Sequence, residues 1–98
     1  MYGTIARLRV MPGAEEQLIQ FARDESAIKI PGLIAQYVYR MDNDPDEYYL
    51  VVLFESHSAY TANADSPEQD ARYRQFRALL TSDPEWHDGE VIYADATG

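Results

Sequence analysis

The run Glu47-Tyr48-Tyr49-Leu50-Val51-Val52-Leu53-Phe54-Glu55 decides how this 98-residue chain folds. Its aromatic and β-branched content reads as a strand. Successive side chains of a strand point to opposite faces. Tyr48 to Phe54 is therefore apolar on both faces, as a strand buried on both sides is. It is also the longest uncharged apolar run, and it is far too short to span a bilayer.

Working outward, Asp42-Asn43-Asp44-Pro45-Asp46 is a polar turn cluster. Leu33 to Met41 precedes it as a strand, pairing with Glu47 to Glu55 as a hairpin. Strict alternation puts Leu33, Ala35, Tyr37 and Tyr39 on one face of that strand, and Ile34, Gln36, Val38 and Arg40 on the other. Pro31-Gly32 ends a helix predicted over Ala14 to Lys29, whose inner stripe is Leu18, Phe21, Ala22 and Ile28, with Glu25 falling inside it. Pro12-Gly13 separates that helix from a first strand, Tyr2 to Met11, with Thr4, Ala6, Leu8 and Val10 on one face. On the far side of the hairpin, Ser56 resembles an N-cap for a short helix to about Ala64. Ser66-Pro67-Glu68-Gln69 restarts helix, with Ser at N-cap, Pro at N1 and Gln at N3 as a capping box. Tyr73, Phe76, Leu79 and Leu80 make its buried stripe. Asp83-Pro84 breaks it, and Glu90 to Asp95 alternates as a last strand.

The order β-α-β-β-α-β is the ferredoxin-like arrangement, an α+β fold with an antiparallel four-stranded sheet and helices on one face. We read residues 1–98 as one domain. Helices on one face leave the other uncovered, and Tyr48 to Phe54 is apolar there too. A homodimer packed through the uncovered sheet face is expected.

Composition restricts the partners. Seventeen acids against eight bases give a net charge of −9. That argues against nucleic acid, which needs clustered Lys and Arg, and against an anionic membrane surface. No cysteine is present, which removes disulfides and thiolate chemistry, and Lys29 is the sole lysine. The N-terminus lacks a basic stretch followed by an apolar one, so no signal peptide and a cytoplasmic location are expected.

Several segments together resemble the antibiotic biosynthesis monooxygenase family. Ile5-Ala6-Arg7-Leu8-Arg9-Val10-Met11-Pro12-Gly13-Ala14-Glu15-Glu16 looks like its first strand and turn. Pro31-Gly32-Leu33 leading into Gln36-Tyr37-Val38-Tyr39-Arg40 is similar to its second strand. Phe54-Glu55-Ser56, Ala59-Tyr60, Ala62-Asn63 and Ser66-Pro67 resemble its third strand and helix entry. The resemblance covers nearly the whole chain and rests on the order and spacing of these weak motifs. It implies a dimeric α+β barrel with a pocket between sheet and helices. It also implies cofactor-free oxidation of phenolic, quinol or anthrone-like compounds by O2, or, in another branch, haem degradation. The family often carries histidine where this chain has Asn63 and Glu68, and its haem-degrading branch uses a first-strand asparagine where this chain has Ala6 and Arg7. Haem degradation is therefore not expected.

The residues themselves narrow the chemistry further. A calcium loop counted from Asp42 would need Gly and Glu where Glu47 and Leu53 stand. His57 and His87 cannot by themselves make a metal site. No serine elbow or Gly-rich phosphate loop occurs, and no cofactor is expected. Eight tyrosines in so short a chain suit a planar aromatic substrate, by stacking and hydrogen bonding. Tyr37, Tyr39, Tyr60 and Phe76 are the expected substrate-binding residues. Asn63 and Tyr73 are expected to bind the substrate oxygen, Arg72 to stabilise developing negative charge, and Glu25 to accept a proton. A buried Glu25 needs either a raised pKa or a partner such as an arginine. A non-catalytic dimer that binds a small molecule or haem, and a lactone isomerase-like enzyme on the same barrel, remain open beside the monooxygenase.

Overall fold

Strand β3 (Glu47–Phe54) lies inside the sheet, with hydrogen-bonded neighbours on both edges. The structure, a computed structural model, describes residues 1–97. Its elements run β1 (Tyr2–Arg9), α1 (Glu15–Ala27), β2 (Leu33–Arg40), β3, α2 (His57–Ala64), α3 (Pro67–Arg77) and β4 (Glu85–Glu90). The sheet order is β2-β3-β1-β4, antiparallel throughout. This is the ferredoxin-like α+β arrangement, with the second helical region split into α2 and α3. No described helix is long and apolar enough to cross a membrane.

The core forms where β1 alternates as expected. Ala6, Leu8 and Val10 are buried with Leu18 of α1, Phe76 of α3, Tyr48 and Leu80. The helices start where short polar side chains cap them. Ser56 Oγ accepts from Ala59 N–H, and Ser66 Oγ accepts from Gln69 N–H, both at 3.1 Å. The capping box closes on one side: Gln69 Oε1 turns to the Arg72 guanidinium instead of the Ser66 amide, whose N–H donates to Asn63 O. Gly32 ends the turn before β2 at φ +78°, and a Cβ there would stand 2.6 Å from Ala59 Cβ, so glycine lets α2 approach this turn.

Three expectations need correction. Ile28 lies outside the buried stripe and is half exposed, because α1 ends at Ala27. The last strand is Glu85–Glu90, not Glu90 to Asp95. It is an edge strand that pairs with β1 alone, and all six residues are exposed. Backbone pairing holds it, so its sequence carries little apolar alternation. Beyond Glu90 the ladder stops after the Val91 N–H bond to Met1 O, and Ile92 and Tyr93 stand in solvent.

The third correction concerns β2. A bulge between Leu33 and Ala35 adds a residue at Ile34, so Leu33 pairs with Phe54 and Ala35 with Leu53. Side chains before and after a bulge no longer share parity. Leu33 therefore faces the helices, whereas Ala35, Tyr37 and Tyr39 face away from them. Gln36, Val38 and Arg40 take the helix side. Across the sheet this side reads in rows: Val38, Leu50, Ala6 and Trp86, then Gln36, Val52, Thr4 and Asp88. The first row abuts the core and the second is largely free of it.

Candidate active site

The second row is the floor of a cavity of about 400 Å³, roofed by the three helices. That volume suits a ligand of two or three fused rings. The aromatic wall is continuous. Phe21 and Phe76 have centroids 5.5 Å apart, and Trp86 lies 6.4 Å from Phe76 and 6.5 Å from Tyr73. These separations and tilts are those of favourable aromatic pairs.

Glu25 comes into this wall from α1. It is 7% exposed and lines the cavity. Its first charge partner is Arg72 of α3, whose Nε stands 3.1 Å from Glu25 Oε1. The alignment is poor, however. The Arg72 Nε–H and Nη2–H groups aim at Gln69 Oε1, at 3.3 and 2.9 Å, and Nη2 also reaches Asn63 Oδ1 at 3.5 Å. Glu25 Oε1 is thus a buried oxygen beside a cation with no hydrogen bond of its own. Burial pushes its carboxyl above the usual range, and the pull of Arg72 offsets this incompletely.

On the opposite side, Tyr60 of α2 donates its hydroxyl to Asp88 Oδ1 of β4 at 2.9 Å. Burial first, and the Asp88 hydrogen bond second, push the Tyr60 phenol up to about 12, so it stays protonated and donates. Gln36 is fixed by bonds from its amide nitrogen to Ala22 O and Ser26 Oγ. The lining holds three acids, Glu25, Asp70 and Asp88, and no arginine, lysine or histidine.

Of the residues singled out from sequence, Glu25, Asn63, Tyr60, Tyr73 and Phe76 line this one cavity. Arg72 is not on its surface; it stands behind Glu25 and ties that residue to Asn63 and Gln69. Tyr37 and Tyr39 are not brought to the cavity at all. They are more than half exposed on the far face of the sheet, placed there by the β2 bulge. His57 packs its ring edge against Tyr2 at 4.5 Å, and His87 lies beside Glu85; neither lines the cavity. Asp44 in the acidic turn is held by Arg9, whose hydrogen bond lowers its carboxyl, so that acid stabilises the hairpin end.

Sequence reasoning missed Thr4, Gln36, Trp86 and Asp88. Thr4 carried a signal, since it is the one hydroxyl among the inward positions Thr4, Ala6, Leu8 and Val10. Trp86 and Asp88 were hidden by the misplaced last strand.

Residues 1–77 match the family model for antibiotic biosynthesis monooxygenase, and the chain belongs to that family. Solved structures agree in fold. A Chloroflexus aurantiacus protein carrying the family's name is 25% identical, with a TM-score of 0.77 over 99% of this chain and 98% of that one. SnoaB of Streptomyces nogalater, a cofactor-independent oxygenase solved as an asparagine-to-alanine mutant, is 18% identical, with a TM-score of 0.79 over 95% of this chain and 94% of that one. A conserved protein of Methanosarcina mazei is 14% identical, with a TM-score of 0.75 over 90% and 89% of the two chains. A search of the curated proteins returns no match.

Proposed function

We propose that this chain is a cofactor-independent monooxygenase that oxidises a phenolic, quinol or anthrone-like aromatic with O2 in this cavity. The observation that carries the reading is Glu25: a buried carboxyl with a raised pKa, whose Oε1 lies beside Arg72 without an aligned hydrogen bond, lining an aromatic-walled space. A carboxylate raised toward the working pH is a competent general base. Written for an anthrone, Glu25 takes one proton from the ring methylene, and the resulting electron-rich anion passes an electron to O2. Recombination makes a carbon–oxygen bond and, after protonation, a hydroperoxide. Loss of water from it leaves the ketone. The methylene carbon loses two hydrogens and gains one oxygen, and the second oxygen leaves as water. The substrate supplies all the electrons.

Asn63 and Tyr73 bind the substrate oxygen as negative charge develops on it. Arg72 acts through Glu25, Asn63 and Gln69, holding the first two in place. Phe76 and Trp86 flank the ring, and the wall excludes bulk water. Oxygen-electrode measurements with a panel of quinols and anthrones, under chelation, test this. Uptake above the no-protein rate is expected, falling about tenfold or more in Asn63→Ala and Tyr73→Phe. Uptake equal to the blank rejects the oxygenase. A ligand that binds stoichiometrically without being consumed would favour a binding module.

The working unit is a cytoplasmic homodimer packed through the open sheet face. Ile5, Tyr37 and Tyr39 are each about half exposed there, around Val51. Such a contiguous apolar face is that of an interface. Light scattering should give about twice the 11.2 kDa chain mass, and Val51→Arg should give the single-chain mass. A wild-type monomer at micromolar concentration contradicts the dimer.

A further inference from the structure

Thr4 is 4% exposed, lines the cavity floor, and its hydroxyl has no hydrogen-bond partner. A buried hydroxyl left unpaired is costly, and native proteins rarely leave one without a use. Its neighbours define what could satisfy it. Asp88 is its register partner on β4. Tyr60 stands beside it, close enough for the Thr4 hydroxyl to act on its phenol, but the pair does not meet hydrogen-bond geometry, and Tyr60 spends its own proton on Asp88. The Thr4 hydroxyl can therefore both donate and accept, whereas Asp88 can only accept.

We propose that Thr4, Tyr60 and Asp88 form a specificity subsite that takes a neutral hydroxyl group of the ligand, remote from the group that meets Glu25, and rejects a carboxylate at the same position. A ligand hydroxyl accepts from Thr4 Oγ1 and donates to Asp88, which completes both groups. A carboxylate cannot donate to Asp88 and brings a further negative charge to a lining that already holds three acids and no cation. The unpartnered Thr4 hydroxyl in the floor and the Glu25 carboxyl in the roof lie on different sides of the cavity, which calls for a ligand with polar substituents on two parts of its ring system. The subsite deepens the oxygenase reading and rests on it for the fate of the bound molecule, but binding alone tests it.

Anaerobic isothermal calorimetry on the wild-type protein can use three matched probes. These are a naphthol, the naphthalenediol with its second hydroxyl on the far ring, and the hydroxynaphthoate with a carboxylate in that place. The diol should bind about three- to tenfold tighter than the naphthol, and the carboxylate more weakly than the naphthol. Thr4→Val has nearly the same shape and removes an unpaired hydroxyl, so folding is preserved. It should erase the diol's advantage and leave naphthol affinity unchanged, a split that a merely structural role for Thr4 would not produce. Equal loss for both probes, an unchanged diol-to-naphthol ratio, or tighter binding of the carboxylate overturns the subsite. Discrimination without oxygen uptake keeps the subsite and rejects the oxygenase; uptake without discrimination does the reverse.

Discussion

Glu25→Gln is expected to lower oxygen uptake about a hundredfold or more while leaving the protein at least as stable at neutral pH. The two effects have one cause. Glu25 is buried, its Arg72 contact lacks an aligned hydrogen bond, and burial raises its pKa. The native state then binds more protons than the unfolded state between the ordinary carboxylate value, 4.5, and the raised one. Where the native state holds the extra proton, stability is greatest below the unfolded value and declines as pH rises through that window. The glutamine amide keeps the shape without the charge, so the variant should lose this decline. Arg72 retains Gln69 and Asn63 as partners. Thermal melts from pH 4 to 8 together with uptake rates check both halves. A large stability loss in Glu25→Gln would make the residue a structural ion-pair member, and an unchanged rate would remove it as the base.

Gly3→Ala carries the largest expected stability effect. A Cβ on Gly3 would stand 1.9 Å from Val52 O, a backbone atom of the neighbouring strand with no side-chain freedom to yield. Gly3 and Leu53 are register partners in the centre of the sheet, so relief means prising β1 from β3. The cost should be about 3 kcal/mol or more. For a domain of this size each kcal/mol lowers Tm by roughly 4–8 °C, so a fall of roughly 12 °C or more is expected by circular dichroism. Gly89, where a Cβ would meet nothing, is the control, with little change for Gly89→Ala. A small shift at Gly3 would mean that β1 and β3 can separate locally at little cost.

The fold was legible because its interior elements announce themselves by pattern. Tyr48 to Phe54 is apolar on both faces because β3 is an inner strand with helices on one side and an apolar sheet surface on the other. The inward run Thr4, Ala6, Leu8 and Val10 needed only the two-residue period of a strand. Ser56 and Ser66 mark helix starts by what a hydroxyl does at an unsatisfied helix end. Glu25 was legible as a buried carboxylate because an acid within an apolar helical stripe breaks the pattern, and it lines the cavity.

What escaped is equally physical. One bulged residue, Ile34, reverses the parity of everything after it, and no composition signal marks it; Tyr37 and Tyr39 consequently changed faces. An edge strand needs backbone pairing more than apolar side chains, so Glu85–Glu90 gave no alternation, while the exposed stretch after it did. Helix phase placed Arg72 near Glu25, but which guanidinium edge meets Gln69 rather than Glu25 depends on three-dimensional angles. The hydroxyl of Thr4 stood on the strand face it shares with Ala6, Leu8 and Val10, and its lack of a partner became visible when Tyr60 and Asp88 were placed around it.

In the proposed reaction the substrate itself, with no metal or flavin, reduces O2 in the Glu25 cavity. The most direct measurement is turnover of an accepted anthrone or quinol under isotopically labelled O2, with chelator present and product analysed by mass spectrometry. One labelled oxygen atom per product, one molecule of O2 consumed per turnover, and loss of both in Glu25→Gln are predicted. Product oxygen derived from solvent water, or turnover that vanishes with the chelator, would contradict cofactor-free oxygenation in this cavity.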